Sequence, residues 1–505
     1  MTTSDTQKPM KRISAIVMAA GLGKRMRSKT AKVLHPVAGR PMVWYMTSLA
    51  RRMSDGHVVV VVGHQGEQVK AFLDQEKKAL EPLDIVVQAK QLGTGHAVQQ
   101  AKSVLMPKTK PVSELCLILN GDTPLLTQAT VEQLIAQHQH TQAAVTILTT
   151  DLDNPQGYGR VMRRPTGQVV RVVEEKDASS EEKSNQEVNV GTYVVQSAFL
   201  FKALDMLKPN NAQGEYYLTD IIGLAVTQGL RVGGMKTADS AECFGVNSRE
   251  HLAFVEQVMR QRIRSRWLLA GVTMLDPNTT FIADSVEIGQ DTVLYPGVTI
   301  EGTTKIGSET VVRSNSRLTN SVVGDGVVIE DSSILDGAVV EAGATIGPFA
   351  RLRPGAVVRT KAKVGNFVEL KNVELGEGSK ANHLAYLGDA TIGKHVNIGA
   401  GTITCNYDGF RKERTVIEDG VFIGSDSQLV APVTIGEGAV IAAGSTVTKD
   451  VPADALTLSR TEQVNREGWA SRRRAWNANE STKAPKKGAT KSQGLPSKGS
   501  KKKPR

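Results

Sequence analysis

The sequence has few aromatic residues, few cysteines and no long uncharged apolar run. Aromatic residues make up 4% of its 505 residues, which favours a core of Val, Ile, Ala and Gly over one of large rings. The three cysteines (Cys116, Cys243, Cys405) form no CxxC pair, which argues against structural disulfides and zinc and predicts a reducing, cytoplasmic location. Because no apolar run approaches the roughly 18 residues of a membrane span, we expect no membrane partner.

The net charge of +11 is concentrated at one end of the chain. Residues 471–505 contain twelve Lys or Arg and one acidic residue, Glu480, so the rest of the chain is neutral. This segment is rich in Lys, Ser, Pro and Gly, which predicts a basic disordered tail. A role of the tail at RNA or a membrane is the alternative, but the neutral remainder predicts no specific nucleic-acid partner.

Residues 11–247 alternate short apolar runs with stretches of helical spacing. Val58–Val62 and residues 115–119 are continuous apolar runs, typical of strands buried on both faces of a parallel sheet. The pattern predicts an α/β domain with a mostly parallel, Rossmann-like sheet, preceded by a flexible N-terminus over residues 1–10. Residues 11–20 also resemble a secretory signal, but the glycine-rich loop that follows them favours a buried strand.

Residues 248–270 are predicted to form a linker helix between two halves of the chain. Ser248 is a suitable N-cap, and Leu252, Val255 and Met259 keep helical spacing between charged residues.

A six-residue repeat begins near residue 282 and continues through the second half. Such a period excludes an α-helix and predicts one short strand and one turn per repeat, stacked into a parallel β-helix over residues 271–470. The repeat is interrupted between Thr404 and Ile417, so residues 405–415 should loop out, as functional segments often do. Its first aliphatic positions are Ile288, Leu294, Ile300, Ile306, Val312 and Leu318.

Two segments of the first half suggest a nucleotide site. Gly21 and Gly23 follow the first strand and would let backbone N–H groups approach a phosphate, while Arg25 and Lys32 would neutralise its charge. Asp122 ends another buried strand, where α/β proteins bind ligands and where a carboxylate suits Mg²⁺. A plain strand-to-helix turn and a helix-capping Asp are the alternative interpretations.

These segments resemble the nucleotidyltransferase signature of sugar-nucleotide pyrophosphorylases. Matching motifs follow in the expected order at residues 18–26, 32–35, 91–97, 121–122, 157–160, 174, 189–191, 214–220 and 245–247. Combined with the hexapeptide half, residues 11–470 resemble the bacterial bifunctional enzymes that are UDP-N-acetylglucosamine pyrophosphorylases and glucosamine-1-phosphate N-acetyltransferases.

The resemblance implies acetyl transfer from acetyl-CoA to glucosamine 1-phosphate, followed by uridylyl transfer from UTP to N-acetylglucosamine 1-phosphate with release of pyrophosphate. It implies that Arg25 and Lys32 are catalytic in uridylyl transfer and that Asp122 and Asn247 bind Mg²⁺. The positions that match contacts to UTP or the UDP-sugar are Met18, Ala19, Ala20, Gly21, Lys32, Gln88, Gly93, Thr94, Asn120, Gly121, Asp122, Gly159, Glu174, Asn189 and Asn247.

For the second half, the resemblance implies a left-handed β-helix and a homotrimer with acetyl-transfer sites between subunits. His383 is the implied general base, since imidazole accepts a proton near neutral pH, although an isolated histidine is more often an ordinary surface residue. The positions implied to bind the sugar phosphate are Arg353, Lys371, Tyr386 and Asn397, and those for acetyl-CoA are Ala400, Asn406, Tyr407, Ser425, Ala443 and Arg460.

The sequence departs from the family pattern at Lys24, Ala31, Asn120 and Ala385. None of these departures removes a charged catalytic group, so we expect small effects on rate, affinity and positioning. The alternative function is a single-activity sugar-1-phosphate nucleotidyltransferase whose β-helix serves only to form oligomers.

Overall fold

A computed structural model describes residues 12–483 of the chain. The flexible N-terminus predicted for residues 1–10, and the part of the predicted tail beyond residue 483, lie outside the described residues. The chain divides into one compact unit up to Leu458 and a second from Ser459 onward. Within the described range, no helix is both long and apolar enough to cross a bilayer.

The N-terminal part of the first unit is built on a nine-stranded sheet. Its strands and one small hairpin are β1 (Ile13–Ala19), β2 (Pro36–Val37), β3 (Arg40–Pro41), β4 (Val58–Val62), β5 (Leu83–Val87), β6 (Leu115–Asn120), β7 (Val145–Asp151), β8 (Arg160–Arg163), β9 (Val169–Val173), β10 (Glu187–Gln196) and β11 (Val232–Lys236).

The sheet is mostly parallel, as the sequence predicts. Its strand order is β11-β7-β10-β6-β1-β4-β5, and along this path only β10 runs antiparallel to its neighbours. Off this path, β8 pairs antiparallel with β10, and β9 pairs antiparallel with β8. The segment with signal-like composition is strand β1, which pairs in parallel with both β4 and β6 at the centre of the sheet. The carboxyl ends of β1 and β6 therefore lie at the same edge, where the two predicted nucleotide-binding segments begin.

Helices cover both faces of this sheet. They are α1 (Met42–Met53), α2 (Gly66–Gln75), α3 (Lys77–Leu80), α4 (Thr94–Gln100), α5 (Lys102–Leu105), α6 (Gln128–Thr141), α7 (Ser180–Lys183), α8 (Ser197–Met206) and α9 (Asp220–Thr227). A further helix, α10 (Arg249–Leu269), packs instead against β2 and the start of the second half. Helix α10 lies where the linker helix is predicted, and the Ser248 side chain accepts a hydrogen bond from His251 N, as an N-cap does.

From Thr273 onward the chain forms short strands joined by turns. They are β12 (Thr273–Met274), β13 (Phe281–Ile282), β14 (Glu287–Ile288), β15 (Val293–Leu294), β16 (Thr299–Glu301), β17 (Lys305–Ile306), β18 (Val311–Val312), β19 (Arg317–Thr319), β20 (Val322–Val323), β21 (Val328–Ile329), β22 (Ile334–Asp336), β23 (Val339–Val340), β24 (Thr345–Ile346), β25 (Arg351–Leu352), β26 (Val357–Val358), β27 (Lys363–Asn366), β28 (Glu369–Leu375), β29 (Lys380–His383), β30 (Tyr386–Ile392), β31 (Asn397–Ile398), β32 (Ile403–Cys405), β33 (Thr415–Ile417), β34 (Phe422–Ile423), β35 (Gln428–Val430), β36 (Val433–Ile435), β37 (Val440–Ile441), β38 (Thr446–Val447) and β39 (Leu456–Thr457).

These strands form the predicted left-handed parallel β-helix of hexapeptide repeats. An 11-stranded sheet makes one face of each triangular turn, and a 17-stranded sheet makes the other two. The aliphatic residues of the repeat point inward and stack on one another along the axis, with Ile300 beside Leu318 and Leu318 beside Leu335. All three side chains are fully buried, which explains why the six-residue period is so regular.

The end of the chain differs from the sequence prediction in two respects. The last strand, β39, ends at Thr457, whereas the β-helix domain is predicted to reach residue 470, because the hexapeptide pattern stops there. The predicted tail is helical over α11 (Trp469–Lys483), which corrects the expectation of disorder for residues 471–483. Arg and Ala are good helix formers, and the Arg473 guanidinium lies 4.4 Å from the centre of the Trp476 ring, a contact one turn along the helix.

Candidate active sites

Two adjoining cavities open at the carboxyl ends of β1 and β6. One, of about 320 Å³, is lined by the predicted residues Met18, Ala19, Ala20, Gly21, Lys32, Gln88, Gly93, Thr94, Asn120 and Asp122. The other, of about 190 Å³, shares four of these residues and adds the predicted Gly159, Glu174, Asn189 and Asn247. The structure thus brings together segments that are far apart in the sequence.

Lys32 lies at the centre of this arrangement. Its ammonium group donates hydrogen bonds to Asp122 Oδ2 and, at 3.2 Å, to Asn247 Oδ1. The side chain of Asp122 is 17% exposed and that of Lys32 is 12% exposed, so the pair is largely removed from water. Two side-chain oxygens from distant segments therefore face one positive charge.

The segment around Gly93 forms the far wall of the larger cavity. The Gln88 side chain is buried and its Nε2 donates to Gly93 O at 3.0 Å, while Thr94 Oγ1 accepts from Leu218 N at 3.0 Å. Gly93 has a φ of 107°, and a Cβ there would lie 2.6 Å from Tyr216 O. Only glycine therefore fits this position.

The smaller cavity is lined by polar groups that hold one another in place. Glu174 Oε1 accepts a hydrogen bond from Thr219 Oγ1 at 2.9 Å, and Asn189 Nδ2 donates to Tyr193 Oη at 2.7 Å. Burial raises the pKa of the Glu174 carboxyl, and the hydrogen bond from Thr219 partly opposes that shift. Asn120, one of the departures from the family pattern, donates to Val190 O at 3.2 Å on the same wall.

Two predicted positions of the first half lie at the rim or behind the lining. Arg25 is exposed in the short 3-10 helix Lys24–Met26, beside Lys24, and outside both cavity linings. Burial raises the pKa of Tyr158, and the positive charge of Arg25 partly opposes that rise. Gly121 supports the wall, since a Cβ there would lie 2.9 Å from Met18 O.

One edge of the β-helix aligns the predicted base with three predicted acetyl-CoA positions. Strand register places Ala400 one turn from His383, because Lys380 pairs with Asn397 and Ala381 with Ile398. The same register continues to Ser425 and then to Ala443. Strands are about 4.8 Å apart, so this column extends about 14 Å along the axis from His383.

The next face of the β-helix groups three predicted sugar-phosphate residues. Arg353 N bonds to Leu370 O, so Arg353 lies one turn below Lys371, and Lys371 pairs with Gly388 on the following turn. A Cβ on Gly388 would lie 2.6 Å from Tyr386 Oη, so the Tyr386 ring folds back over this position. Two cations and one hydroxyl therefore share one surface.

Asn406 lies beside that group, because its Nδ2 donates to Asp389, the residue after Gly388, whereas Asn397 is separated from it. Asn397 is beside Lys380, three residues and thus about 10 Å along the strand from the His383 column. Asn406 and Tyr407 begin the looped-out segment between β32 and β33, and Arg460 belongs to the second compact unit. Ala385 is buried in the β-helix and its carbonyl oxygen accepts from Glu369 N.

Sequence reasoning missed Asn366 and Asp389. Asn366 Oδ1 lies 2.7 Å from His383 Nδ1. Burial acts to raise the pKa of Asp389, but hydrogen bonds from Asn372 and Asn406 and nearby positive charges outweigh it and lower that pKa. The spacing between successive turns was the available signal, since it places Asn366 directly beside His383 on the preceding turn.

Both halves of the chain match known proteins. Residues 14–253 match the nucleotidyl transferase family, and residues 414–449 match six repeats of the bacterial transferase hexapeptide family. The bifunctional protein GlmU of Trichlorobacter lovleyi is 48% identical over 461 residues, covering 91% of this chain and 98% of that protein. Those of Geobacter sulfurreducens and Shouchella clausii are each 46% identical, covering 92% and 91% of this chain and 100% and 98% of their own lengths.

These matches span both halves of the chain in the observed order. The nucleotidyltransferase half indicates nucleotide and sugar-phosphate substrates and a divalent metal cofactor, and the hexapeptide half indicates oligomerisation. The chain therefore belongs to the family of bifunctional GlmU proteins, transferases with uridylyltransferase and acetyltransferase activities.

Proposed function

We propose that the β-helix transfers acetyl from acetyl-CoA to glucosamine 1-phosphate and that the N-terminal domain then transfers uridylyl from UTP to the N-acetylglucosamine 1-phosphate formed. The observation that supports this proposal best is the presence of two separate polar clusters on two domains. One is the Lys32–Asp122–Asn247 cluster, and the other is the edge that aligns His383 with Ala400.

In uridylyl transfer, a phosphate oxygen of the sugar phosphate attacks the α-phosphate of UTP and pyrophosphate leaves. The protein contributes positioning and charge stabilisation in this class of reaction rather than covalent chemistry. The Lys32 ammonium and the Arg25 guanidinium supply positive charge to the phosphates. Gln88, Gly93 and Thr94 hold the base, and Gly159, Glu174 and Asn189 hold the sugar.

The residues around Lys32 fit a magnesium ion. Asp122 and Asn247 present a carboxylate and an amide oxygen to the same positive group, and oxygen ligands of this kind suit Mg²⁺. When bound, Mg²⁺ would neutralise phosphate charge. Lys32 would then be free to turn from Asp122 towards the phosphates.

In acetyl transfer, the amine of glucosamine 1-phosphate attacks the thioester carbonyl carbon of acetyl-CoA. The C–N bond forms, the C–S bond breaks, and CoA leaves as the thiol after taking up a proton. His383 accepts the proton that the amine loses. Arg353 and Lys371 bind the sugar phosphate, and the column of Ala400, Ser425 and Ala443 gives the extended CoA chain an edge to lie along.

We propose that the protein is a homotrimer with acetyl-transfer sites between subunits. Phe349, Phe367 and Leu384 form an exposed apolar ladder on three successive turns next to His383, and the two rings stack with centres 5.4 Å apart. Because Asn397 is about 10 Å from the His383 column in its own chain, a neighbouring copy would be needed to complete the site.

A structural β-helix with no chemistry is the second candidate. It would require no grouping of cations and a tyrosine hydroxyl, whereas Arg353, Lys371 and Tyr386 share one surface. We also propose a cytoplasmic location, since Cys116, Cys243 and Cys405 are all free thiols, as expected in a reducing compartment.

The decisive experiment incubates purified protein with glucosamine 1-phosphate, acetyl-CoA, UTP and Mg²⁺. Free CoA, pyrophosphate and the UDP-sugar are measured separately, and each substrate is omitted in turn. We expect CoA release without UTP, and pyrophosphate release only after acetylation or when N-acetylglucosamine 1-phosphate is added. Pyrophosphate release without any CoA release under all conditions would support the structural β-helix instead.

A further inference from the structure

Asn366 is the side chain in direct contact with His383. The two residues end the adjacent parallel strands β27 and β29 and pair with each other in register. Asn366 Oδ1 lies 2.7 Å from His383 Nδ1. An amide oxygen only accepts hydrogen bonds, so the imidazole nitrogen that faces it carries the hydrogen.

This contact determines which ring nitrogen is free. A neutral imidazole with its hydrogen on Nδ1 has its lone pair on Nε2, so Nε2 is the atom able to accept a proton. When Nε2 accepts that proton, the bond from Nδ1 to Asn366 remains and becomes charge-assisted. The same contact therefore serves both protonation states.

We propose that Asn366 is a positioning residue for acetyl transfer, which holds His383 in the tautomer whose Nε2 is the base. The proposal rests on the proposed role of His383 and adds the residue that orients it.

Asn366, the hydrogen-bond partner of His383, is neutral. It can therefore orient the imidazole without placing a charge beside it. Among residues 12–483 no carboxylate forms an ion pair with His383. Glu369, on the neighbouring face of the β-helix, accepts a hydrogen bond at its Oε1 from Arg353 Nη1 at 3.0 Å. The other charged or titratable side chains on β27 to β30 are Lys363, Lys371, Glu374, Lys380, Tyr386 and Asp389, and Glu374 is bound by Arg359.

The test compares two substitutions of Asn366 that remove different properties. Asn366→Leu has nearly the same shape but accepts no hydrogen bond, so Nδ1 and Nε2 compete for the hydrogen. We expect kcat for acetyl transfer to fall about 10- to 100-fold, the effect typical of losing an orienting partner. The KM for acetyl-CoA should stay within about twofold, since the Asn366 side chain bonds to the imidazole and is not among the positions proposed to bind acetyl-CoA.

Asn366→Asp keeps the acceptor and adds a negative charge. We expect it to retain most of kcat and to shift the acidic limb of the kcat/KM pH profile upward by about one unit, because a nearby carboxylate favours the imidazolium. Asn278→Leu, at an exposed asparagine of the same domain, is the matched control. Uridylyl transfer and oligomer mass should be unchanged in all three variants.

His383→Ala is measured beside them and separates the two levels of the argument. If His383→Ala retains acetyl transfer, the proposed role of His383 fails. If His383→Ala is inactive while Asn366→Leu matches the wild type in kcat, only the positioning role of Asn366 is overturned. Equal losses in Asn366→Leu and Asn366→Asp with an unshifted pH profile would also overturn it, since that pattern indicates a packing role alone.

Discussion

The Lys32 ammonium donates a hydrogen bond to Asn247 Oδ1 at 3.2 Å, although 215 positions separate the two residues in the chain. The same ammonium contacts Asp122. A short 3-10 helix, the segment after β6 and the segment before the linker helix thus meet at one point. We expect substitutions at this point to affect the N-terminal domain alone.

Asp122→Ala should remove most uridylyl transfer and leave acetyl transfer nearly intact. The substitution removes the carboxylate proposed to bind Mg²⁺, and losing such electrostatic stabilisation typically costs at least about 100-fold in rate. Both activities are assayed on the same preparation. Asp205→Ala is the control, since Asp205 forms an exposed ion pair with Lys102 at 2.6 Å and neither residue lines the two cavities. Equal loss of both activities in a folded Asp122→Ala protein would contradict two separate sites.

Gly93→Ala should weaken UTP binding. The added methyl group would lie 2.6 Å from Tyr216 O at a φ that disfavours alanine, so the segment that holds Gln88 must move. We expect a loss of about 1–3 kcal/mol in stability and a KM for UTP raised about tenfold or more. Gly229→Ala is the control, because Gly229 also has a positive φ but a Cβ there would have no atom within 4 Å. A difference between the two variants therefore reports the steric clash at Gly93. An unchanged KM for UTP in Gly93→Ala would argue against this wall of the cavity.

Glu174→Gln should stabilise the protein near neutral pH and impair uridylyl transfer. Burial raises the pKa of Glu174, as do Asp220 and Asp177, so its ionised form is disfavoured in the folded state. Removing that charge should raise the melting temperature. The gain should shrink as the pH falls through the raised pKa of the native carboxyl and should vanish below its ordinary value of 4.5.

Thermal melts at several pH values test this, with the exposed Glu132→Gln as control. The KM for N-acetylglucosamine 1-phosphate should rise about tenfold, because a neutral amide oxygen accepts hydrogen bonds from sugar hydroxyls more weakly than a carboxylate does. A melting temperature that falls at neutral pH would show that the ionised carboxylate is needed for folding.

His383→Ala should lower acetyl transfer about 10²- to 10⁴-fold, the usual effect of removing a general base. Binding of acetyl-CoA and uridylyl transfer should change little. His395→Ala, at the other histidine of the β-helix, is the control. Near wild-type acetyl transfer by His383→Ala across about pH 6–9 would mean that another group or water is the base.

Phe367→Arg should disrupt the proposed trimer and acetyl transfer together. The Phe367 side chain is 57% exposed and stacks on Phe349, so the isolated chain tolerates a charge there while a subunit contact does not. Light scattering should show loss of the trimer, with uridylyl transfer retained. Leu269→Arg, at a 90% exposed position at the end of the linker helix, should stay trimeric. A wild-type monomer that transfers acetyl groups would refute the proposal.

The periodicity of the sequence by itself determined the two folds. Val58–Val62 predicts a buried strand because every side chain is β-branched, and Ile300, Leu318 and Leu335 predict stacked turns because each faces the axis. The family resemblance then supplied the residues that line the two adjoining cavities at the carboxyl ends of β1 and β6.

The tertiary structure alone decided which polar groups touch. The contact between Lys32 and Asn247 depends on the path of the whole chain, which no local pattern encodes. The spacing of the turns places Asn366 beside His383, but the tertiary structure decides that their side chains touch. Helix α11 is a different case, because the composition of residues 471–483 predicted disorder, yet local features, Ala and Arg with an Arg473–Trp476 contact, form a helix. Local sequence sets the period of each element, whereas contacts between elements depend on the path of the whole chain.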